Sequence, residues 1–220
     1  MESLITIQNA TKKYKNKVVF RNVNLNISKG SSYGFVGYNG CGKSVLFKAI
    51  CGFSLLTEGE IRYQDKVIGK DIDFIENTGV IIETPEFLND LSGYRNLVQI
   101  AEIKNIISPE EIEGILKKLS LWDDRNVKVG KYSLGMKQKL RIAQAIMEKP
   151  EILILDEPMN GLDKNSVELV RNILKEHVIN GGTLLLTSHN KEDIDILCEN
   201  IYEFDNGELI AIQNKEEHIA

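Results

Sequence analysis

Residues 37–44 read Gly37-Tyr38-Asn39-Gly40-Cys41-Gly42-Lys43-Ser44, and this octet decides the fold. It satisfies the spacing G-x-x-x-x-G-K-[ST]. Glycines at 37, 40 and 42 let the backbone curl so that successive N–H groups converge on phosphate oxygens. Lys43 is then placed to reach β and γ phosphates, and Ser44 to offer its hydroxyl to Mg²⁺. A helix opening at the end of the loop adds its positive pole to the same anion site. The flanks agree. Tyr33-Gly34-Phe35-Val36 predicts a short buried strand, and Val45, Leu46, Ala49 and Ile50 predict one apolar helix face that stops at Gly52.

Outward from this unit the chain reads as α/β. Residues 3–28 alternate like a half-exposed sheet, through Leu4, Ile5 and Ile7, then Val18 to Phe20, then Val23, Leu25 and Ile27. Residues 59–68 predict a hairpin turning near Gln64-Asp65, and 201–212 a second one turning at Asn206-Gly207. The runs Val80–Ile82, Ile152–Leu155 and Thr183–Thr187 are short and wholly apolar or nearly so. They suit parallel strands covered on both faces. Between about 87 and 148 the period changes to that of helices. Tyr94, Leu97, Val98 and Ala101 form one stripe, and Ile112, Ile115, Leu116 and Leu119 another. Ser108-Pro109-Glu110-Glu111 predicts a capping box at the start of the second helix. A third is expected from about Gly135 to Glu148, stopped by Pro150. Trp122 is read as a packing anchor of this helical insert.

Two further sites carry chemistry. Ile152-Leu-Ile-Leu155 ends in Asp156-Glu157, a strand running into paired carboxylates. Asp156 suits Mg²⁺, directly or through water, and Glu157 suits the role of base toward an attacking water. Ser188-His189 follows the Thr183–Thr187 run, at the strand edge where such sheets bind ligands. A neutral imidazole at position 189 could bond a γ-phosphate or orient the water. The other two histidines, His177 and His218, are read as structural. Cys41 sits inside the phosphate loop beside Lys43, where a thiol is expected to be alkylated in competition with nucleotide.

Composition narrows the class. The chain has 220 residues, 42% of them apolar, and a formal net charge of −5. That suffices for one large domain and disfavours a nucleic-acid backbone as main partner. No apolar run is long enough to span a bilayer, and the first residues show no signal-peptide pattern, so a cytoplasmic location is expected. The three cysteines form no ligand cluster or C-x-x-C pair and are read as reduced thiols.

Tyr132-Ser133-Leu134-Gly135-Met136-Lys137-Gln138, ahead of a predicted helix, completes the pattern. With Tyr14, the loop 37–44, Glu83, residues 133–137, Asp156-Glu157, Gly161-Leu162-Asp163 and His189 in this order, the chain resembles the nucleotide-binding subunit of ABC transporters over essentially its whole length. The resemblance implies a single domain over 1–220: a phosphate-loop core with a mostly parallel central sheet and an antiparallel β part, formed by 1–86 and 149–220, with a helical insert over about 87–148 carrying the signature. It implies ATP and Mg²⁺ as cofactors. Tyr14 would stack on adenine. Gly37, Tyr38, Asn39, Gly40, Cys41, Gly42, Lys43, Ser44 and Val45 would contact the nucleotide. Ser44, Asp156 and Glu83 would hold the metal, and Lys43, Glu157 and His189 would act in catalysis. Ser133, Gly135 and Met136 of one subunit would contact the γ-phosphate held by a second, homologous or identical, with Asp163 at the shared interface. The implied partner is a separate membrane permease, docked on the helical insert and the segment after Glu83, at the cytoplasmic face of the membrane.

This sequence departs from the commonest pattern at three places. Met136 replaces Gln in the signature, Val45 replaces a Thr, and Glu83 stands where most relatives have Gln. Glu83 together with Tyr-Ser-Leu-Gly-Met resembles the bacitracin and lantibiotic self-protection branch, which implies an exporter of a peptide antibiotic or another amphipathic compound. The alternatives are a soluble ABC ATPase acting on DNA or ribosomes, and a small-molecule kinase. The first usually carries a long coiled coil or two linked cassettes. The second would leave residues 133–137 without a use.

Overall fold

The computed structural model describes residues 2–83 and 87–213. His218 and the residues immediately after Glu83 lie outside the described residues. Two sheets organise the chain. The first is antiparallel, in the order β2-β1-β4-β5, from β1 (Ser3–Tyr14), β2 (Lys17–Ser28), β4 (Glu58–Tyr63) and β5 (Lys66–Val67). Its alternation is that of a sheet with one wet face: Ile7, Val23, Leu25 and Ile61 are buried between exposed or half-buried neighbours, while Leu4 beside Ile5 and Ser28 beside Ile27 are buried too.

The second sheet has six strands in the order β10-β9-β3-β8-β7-β6. It is built from β3 (Ser32–Val36), β6 (Thr78–Ile81), β7 (Ile152–Asp156), β8 (Thr183–Thr187), β9 (Asn200–Asp205) and β10 (Glu208–Gln213). Strands β6, β7, β8, β3 and β9 are parallel, and β10 closes one edge antiparallel to β9. The central strands are buried on both faces. In β7 and β8, Leu153, Leu155, Leu184 and Leu186 enter one core, while Ile152, Ile154 and Leu185 enter the other. Period-two alternation therefore feeds two separate hydrophobic layers from one continuous apolar run.

Helix α1 (Lys43–Cys51) covers one face, burying Leu46, Phe47, Ala49 and Ile50. Leu46, Phe47 and Ile50 each contribute about 1.5–3 kcal/mol on burial. Gly52 ends α1 in the left-handed conformation, φ 89°. The other layer holds α2 (Gly93–Lys104), α3 (Pro109–Lys118) and α4 (Leu134–Ile146), all between β6 and β7 in the chain, together with α5 (Lys164–Ile179). The Ser108–Glu111 capping box forms, and α4 starts one residue before and ends two before the predicted bounds. Helix α6 (Lys191–Leu197) is not predicted by the sequence reading. At seven residues it is too short to display a helical period. Gly79 lets β6 approach α4: a Cβ there would lie 1.9 Å from the Ala145 carbonyl oxygen.

Candidate functional site

The C-terminal edges of β3, β7 and β8 deliver three loops to one place. After β3 the backbone turns through Gly37 at φ 139°, where any Cβ would sit 2.9 Å from both Cys41 Sγ and the Phe204 carbonyl oxygen. Only glycine accepts that geometry. The loop then opens α1 at Gly42. Together with the ends of β7 and β8 it frames a cleft of about 210 Å³, lined by Asn39, Gly40, Gly42, Lys43, Ser44, Val45, Asp156, Glu157 and His189.

Within it the side chains are linked. Lys43 is buried, and its Nζ donates to the carbonyl oxygens of Gly37 at 2.8 Å and Tyr38 at 3.1 Å. Ser44 Oγ donates to Asp156 Oδ2, and Thr187 Oγ1 donates to Asp156 Oδ1 at 2.6 Å. Glu157 takes φ 52°, and its Oε2 accepts from the His189 backbone N–H at 3.2 Å. Its Oε1 is buried with no hydrogen bond among the described residues, although His189 Nε2 lies 3.3 Å away. The contact is short enough for an ion pair with a protonated ring but is not aligned as a hydrogen bond. Burial pushes the Glu157 carboxyl above the ordinary carboxylate range, and the Asp156 charge adds to this. The His189 contacts and Lys43 oppose the rise. A carboxyl so placed is tuned toward proton transfer.

The donor set suits Mg²⁺. A hydroxyl and a carboxylate, Ser44 and Asp156, already face one another, and Mg²⁺ is typically held by one or two carboxylates plus substrate phosphates. Among the described residues no cluster of three or more His, Cys, Asp or Glu side chains would complete a metal cage without such phosphates. The orphaned Glu157 Oε1 also points to a missing polar partner at this spot.

Other expected residues lie apart from the cleft. Tyr14 does not line it. The ring is 49% exposed at the end of β1, its hydroxyl 3.1 Å from Ser54 Oγ, with Lys12 Nζ 4.7 Å from the ring centre. Tyr38 is exposed on the outside of the loop. Glu83, at φ 62°, pairs with Lys48 of α1 instead of facing Ser44 and Asp156. Cys41 is only 4% exposed and packs in the core beneath the loop, so the expected accessible thiol beside the phosphates is corrected: the curvature of the loop exposes 38–40 and turns the Cys41 side chain inward.

The signature residues form a second assembly. Ser133 caps α4, its Oγ accepting from the Met136 N–H at 3.2 Å. A Cβ at Gly135 would lie 3.1 Å from the Gly161 carbonyl oxygen, so α4 starts against the segment that leads to Asp163. Asp163 caps α5 through the Ser166 N–H at 3.0 Å and Oγ at 2.8 Å, contacts that hold its carboxyl below the usual range. Gln138 joins the two assemblies, its Nε2 donating to the Pro158 carbonyl oxygen at 2.7 Å, directly after Glu157. Neither Ser133, Gly135 nor Met136 lines the cleft of its own chain.

Three residues escaped the sequence reading: Thr187, Gln138 and Lys48. A signal existed for Gln138, a buried amide within the apolar face of Leu140, Ile142 and Ala143. Thr187 offered a weaker one, a hydroxyl closing an apolar strand. Lys48 had none.

Comparison with known proteins bears on this arrangement. The sequence profile of the family described as ABC transporter matches residues 20–160. The chain is 42% identical to the ABC transporter ATP-binding protein YybJ of Bacillus subtilis (strain 168) over 206 residues, 94% of each chain. It is 36% identical to the bacitracin transport ATP-binding protein BcrA of Enterococcus faecalis, over 99% of this chain and 71% of the relative. It is 33% identical to the lantibiotic transport ATP-binding protein SrtF of Streptococcus pyogenes, over 94% of this chain and 89% of the relative. Among solved structures, a post-hydrolysis dimer of an ATP-binding cassette bound to ADP and Pi shares the fold, with TM-score 0.84, 22% identity and coverage of 96% of this chain and 100% of that one. The chain belongs to the ABC transporter family.

Proposed function

We propose that this chain energises a membrane exporter by binding and hydrolysing Mg-ATP in the cleft under Lys43, Ser44, Asp156, Glu157 and His189. The convergence of these five residues, delivered by three strand ends, carries the reading. The backbone N–H groups of 37–45 bind the phosphates, and Lys43 leaves its loop carbonyls to reach them. Ser44 and Asp156 would hold Mg²⁺, which would supply positive charge against the phosphate oxygens. Glu157 takes the proton of the attacking water, and His189 orients that water and the γ-phosphate. Tyr14 stacks on adenine. Glu83 would help to hold the metal after exchanging Lys48 as partner.

The remote signature supports a two-subunit site. Ser133, Gly135 and Met136 lie outside their own cleft and open a helix N-terminus, a natural phosphate contact for a second subunit. Asp163 then lies at the shared face, and closure on ATP followed by opening after hydrolysis is the mechanical output. No helix among the described residues is long and apolar enough to cross a membrane. A membrane permease is the second partner, a reading that the transport names of BcrA and SrtF support. Its docking face is a cleft of about 300 Å³ between the core and the helical insert of 87–148, with Phe53, Ile100 and Ile103 beside the Lys104–Glu148 ion pair in its lining and Phe74 against Phe53. The protein then works at the cytoplasmic face of the membrane. The names of BcrA and SrtF support a peptide antibiotic or similar amphipathic cargo.

The test is resistance. Cells expressing the chain with its permease should survive higher concentrations of bacitracin or a lantibiotic than cells expressing the Glu157→Gln pair. Equal survival, with ATP hydrolysis lost in the variant, would refute the exporter reading for these cargoes.

A further inference from the structure

One hydroxyl touches both acids of the cleft. Thr187, the last residue of β8, is fully buried and is the register partner of Asp156 in β7. Its Oγ1 donates to Asp156 Oδ1 at 2.6 Å and accepts from the Glu157 backbone N–H at 3.0 Å. The Thr187 carbonyl oxygen lies 3.3 Å from the same N–H. A hydroxyl has one donor and two acceptor sites, so both roles fit at once.

Each contact constrains something the chemistry needs. Asp156 is held by Ser44 on Oδ2 and by Thr187 on Oδ1, which sets the plane of the carboxylate. Glu157 adopts φ 52°, a left-handed conformation that a side chain other than glycine takes only under constraint. The bond from its N–H to Thr187 stabilises that turn. The turn in turn directs the Glu157 side chain to the backbone N–H of His189. We propose that Thr187 is a positioning residue that sets the metal-binding carboxylate and the general base in register with one another. The inference rests on the ATPase reading above.

Thr187→Val keeps the shape and removes the hydroxyl, leaving Asp156 Oδ1 without its donor. Thr187→Ser keeps the hydroxyl. Loss of an outer partner of a metal ligand typically costs about 10–100-fold in metal affinity or activity. Thr187→Val should therefore lower kcat about 10-fold or more, with KM for ATP within about 2-fold, and should weaken Mn²⁺ binding by about 10-fold. Mn²⁺ binding is read by electron paramagnetic resonance with a non-hydrolysable ATP analogue, independent of turnover. Thr187→Ser should restore both. Leu184→Ala, a core truncation at the far end of β8, should lower the melting temperature without moving Mn²⁺ affinity. Wild-type Mn²⁺ affinity and kcat in a folded Thr187→Val would overturn the proposal, as would the same losses in Leu184→Ala. Failure of the ATPase reading is separate: there, the wild-type chain itself would show no Mg-dependent ATP hydrolysis.

Discussion

His189 grips Glu157 twice: its backbone N–H donates to Oε2 at 3.2 Å, and its Nε2 stands 3.3 Å from Oε1 without completing a hydrogen bond. The base is thus aimed by one oxygen and left partly unsatisfied at the other. Glu157→Gln keeps the shape and loses basicity. Hydrolysis should fall about 10²–10⁴-fold with nucleotide binding retained. Single-turnover kinetics beside equilibrium binding of a fluorescent ATP analogue checks the split, and loss of binding in parallel with turnover would contradict it.

The same residue links pH to stability. Burial holds its folded-state pKa above the ordinary value of 4.5. Below that value the carboxyl is protonated in both folded and unfolded chains. As pH rises through the folded pKa, ionisation in the fold lags behind ionisation in the unfolded chain, and stability is lost. At neutral pH the buried charge is a standing penalty. Glu157→Gln should raise the melting temperature of the free protein at about pH 7, and the gain should shrink toward about pH 4. A gain that grows on acidification would reverse the sign of the assignment.

Glu83 and Lys48 form an ion pair with the Glu side chain 68% exposed. Such pairs contribute about 0–1 kcal/mol. Glu83→Gln should leave stability within about 1 kcal/mol of wild type while changing transport-coupled hydrolysis. The swap Lys48→Glu with Glu83→Lys should recover part of any change seen in either single variant. Identical coupled and uncoupled rates in all variants would remove Glu83 from the mechanism.

Arg171 and Asp193 are both buried, and they are joined through Nε at 2.8 Å and Nη2 at 2.5 Å. Asp193 Oδ2 also accepts from Ser188 Oγ at 2.8 Å, next to His189. Arg171→Met leaves that carboxylate without its cation. The loss should be about 3–5 kcal/mol in denaturant unfolding, and Arg171→Met with Asp193→Leu should lose less than the single change. A more severe loss in the double variant would show that the pair stabilises the fold outright.

All three thiols, Cys41, Cys51 and Cys198, are buried, and burial pushes Cys51 up to about 12 and Cys198 higher still. Maleimide should label the native protein slowly and all three positions quickly in denaturant. Rapid native labelling at Cys41, blocked by Mg-ATP, would place that side chain in the cleft instead of the core.

Much of the architecture was legible because its causes are local. The octet 37–44 constrains its own backbone, Ser108-Pro109-Glu110-Glu111 caps its own helix, and apolar runs of four or five residues declare themselves as covered strands. The motif order also placed Asp156, Glu157 and His189 at one sheet edge. Other features left little trace. Helix α6 is shorter than two periods, and Cys41 turned inward because the loop's curvature, not its composition, selects which side chains face the cleft.

The sequence by itself determined the strand–loop–helix unit, the alternation of β and α segments, and the residue types available for phosphate, metal and water. Each follows from steric rules acting over a few neighbouring residues. Only the tertiary structure decided which of them meet. Thr187 reaches Asp156 because β8 lies beside β7 in one register, and a slip of one residue would turn it to the other face. Glu83 meets Lys48 of α1, 35 residues away in the chain, because the fold brings the residue just beyond β6 beside that helix. Such contacts join residues far apart in the chain, so they depend on strand order and packing that no short stretch encodes.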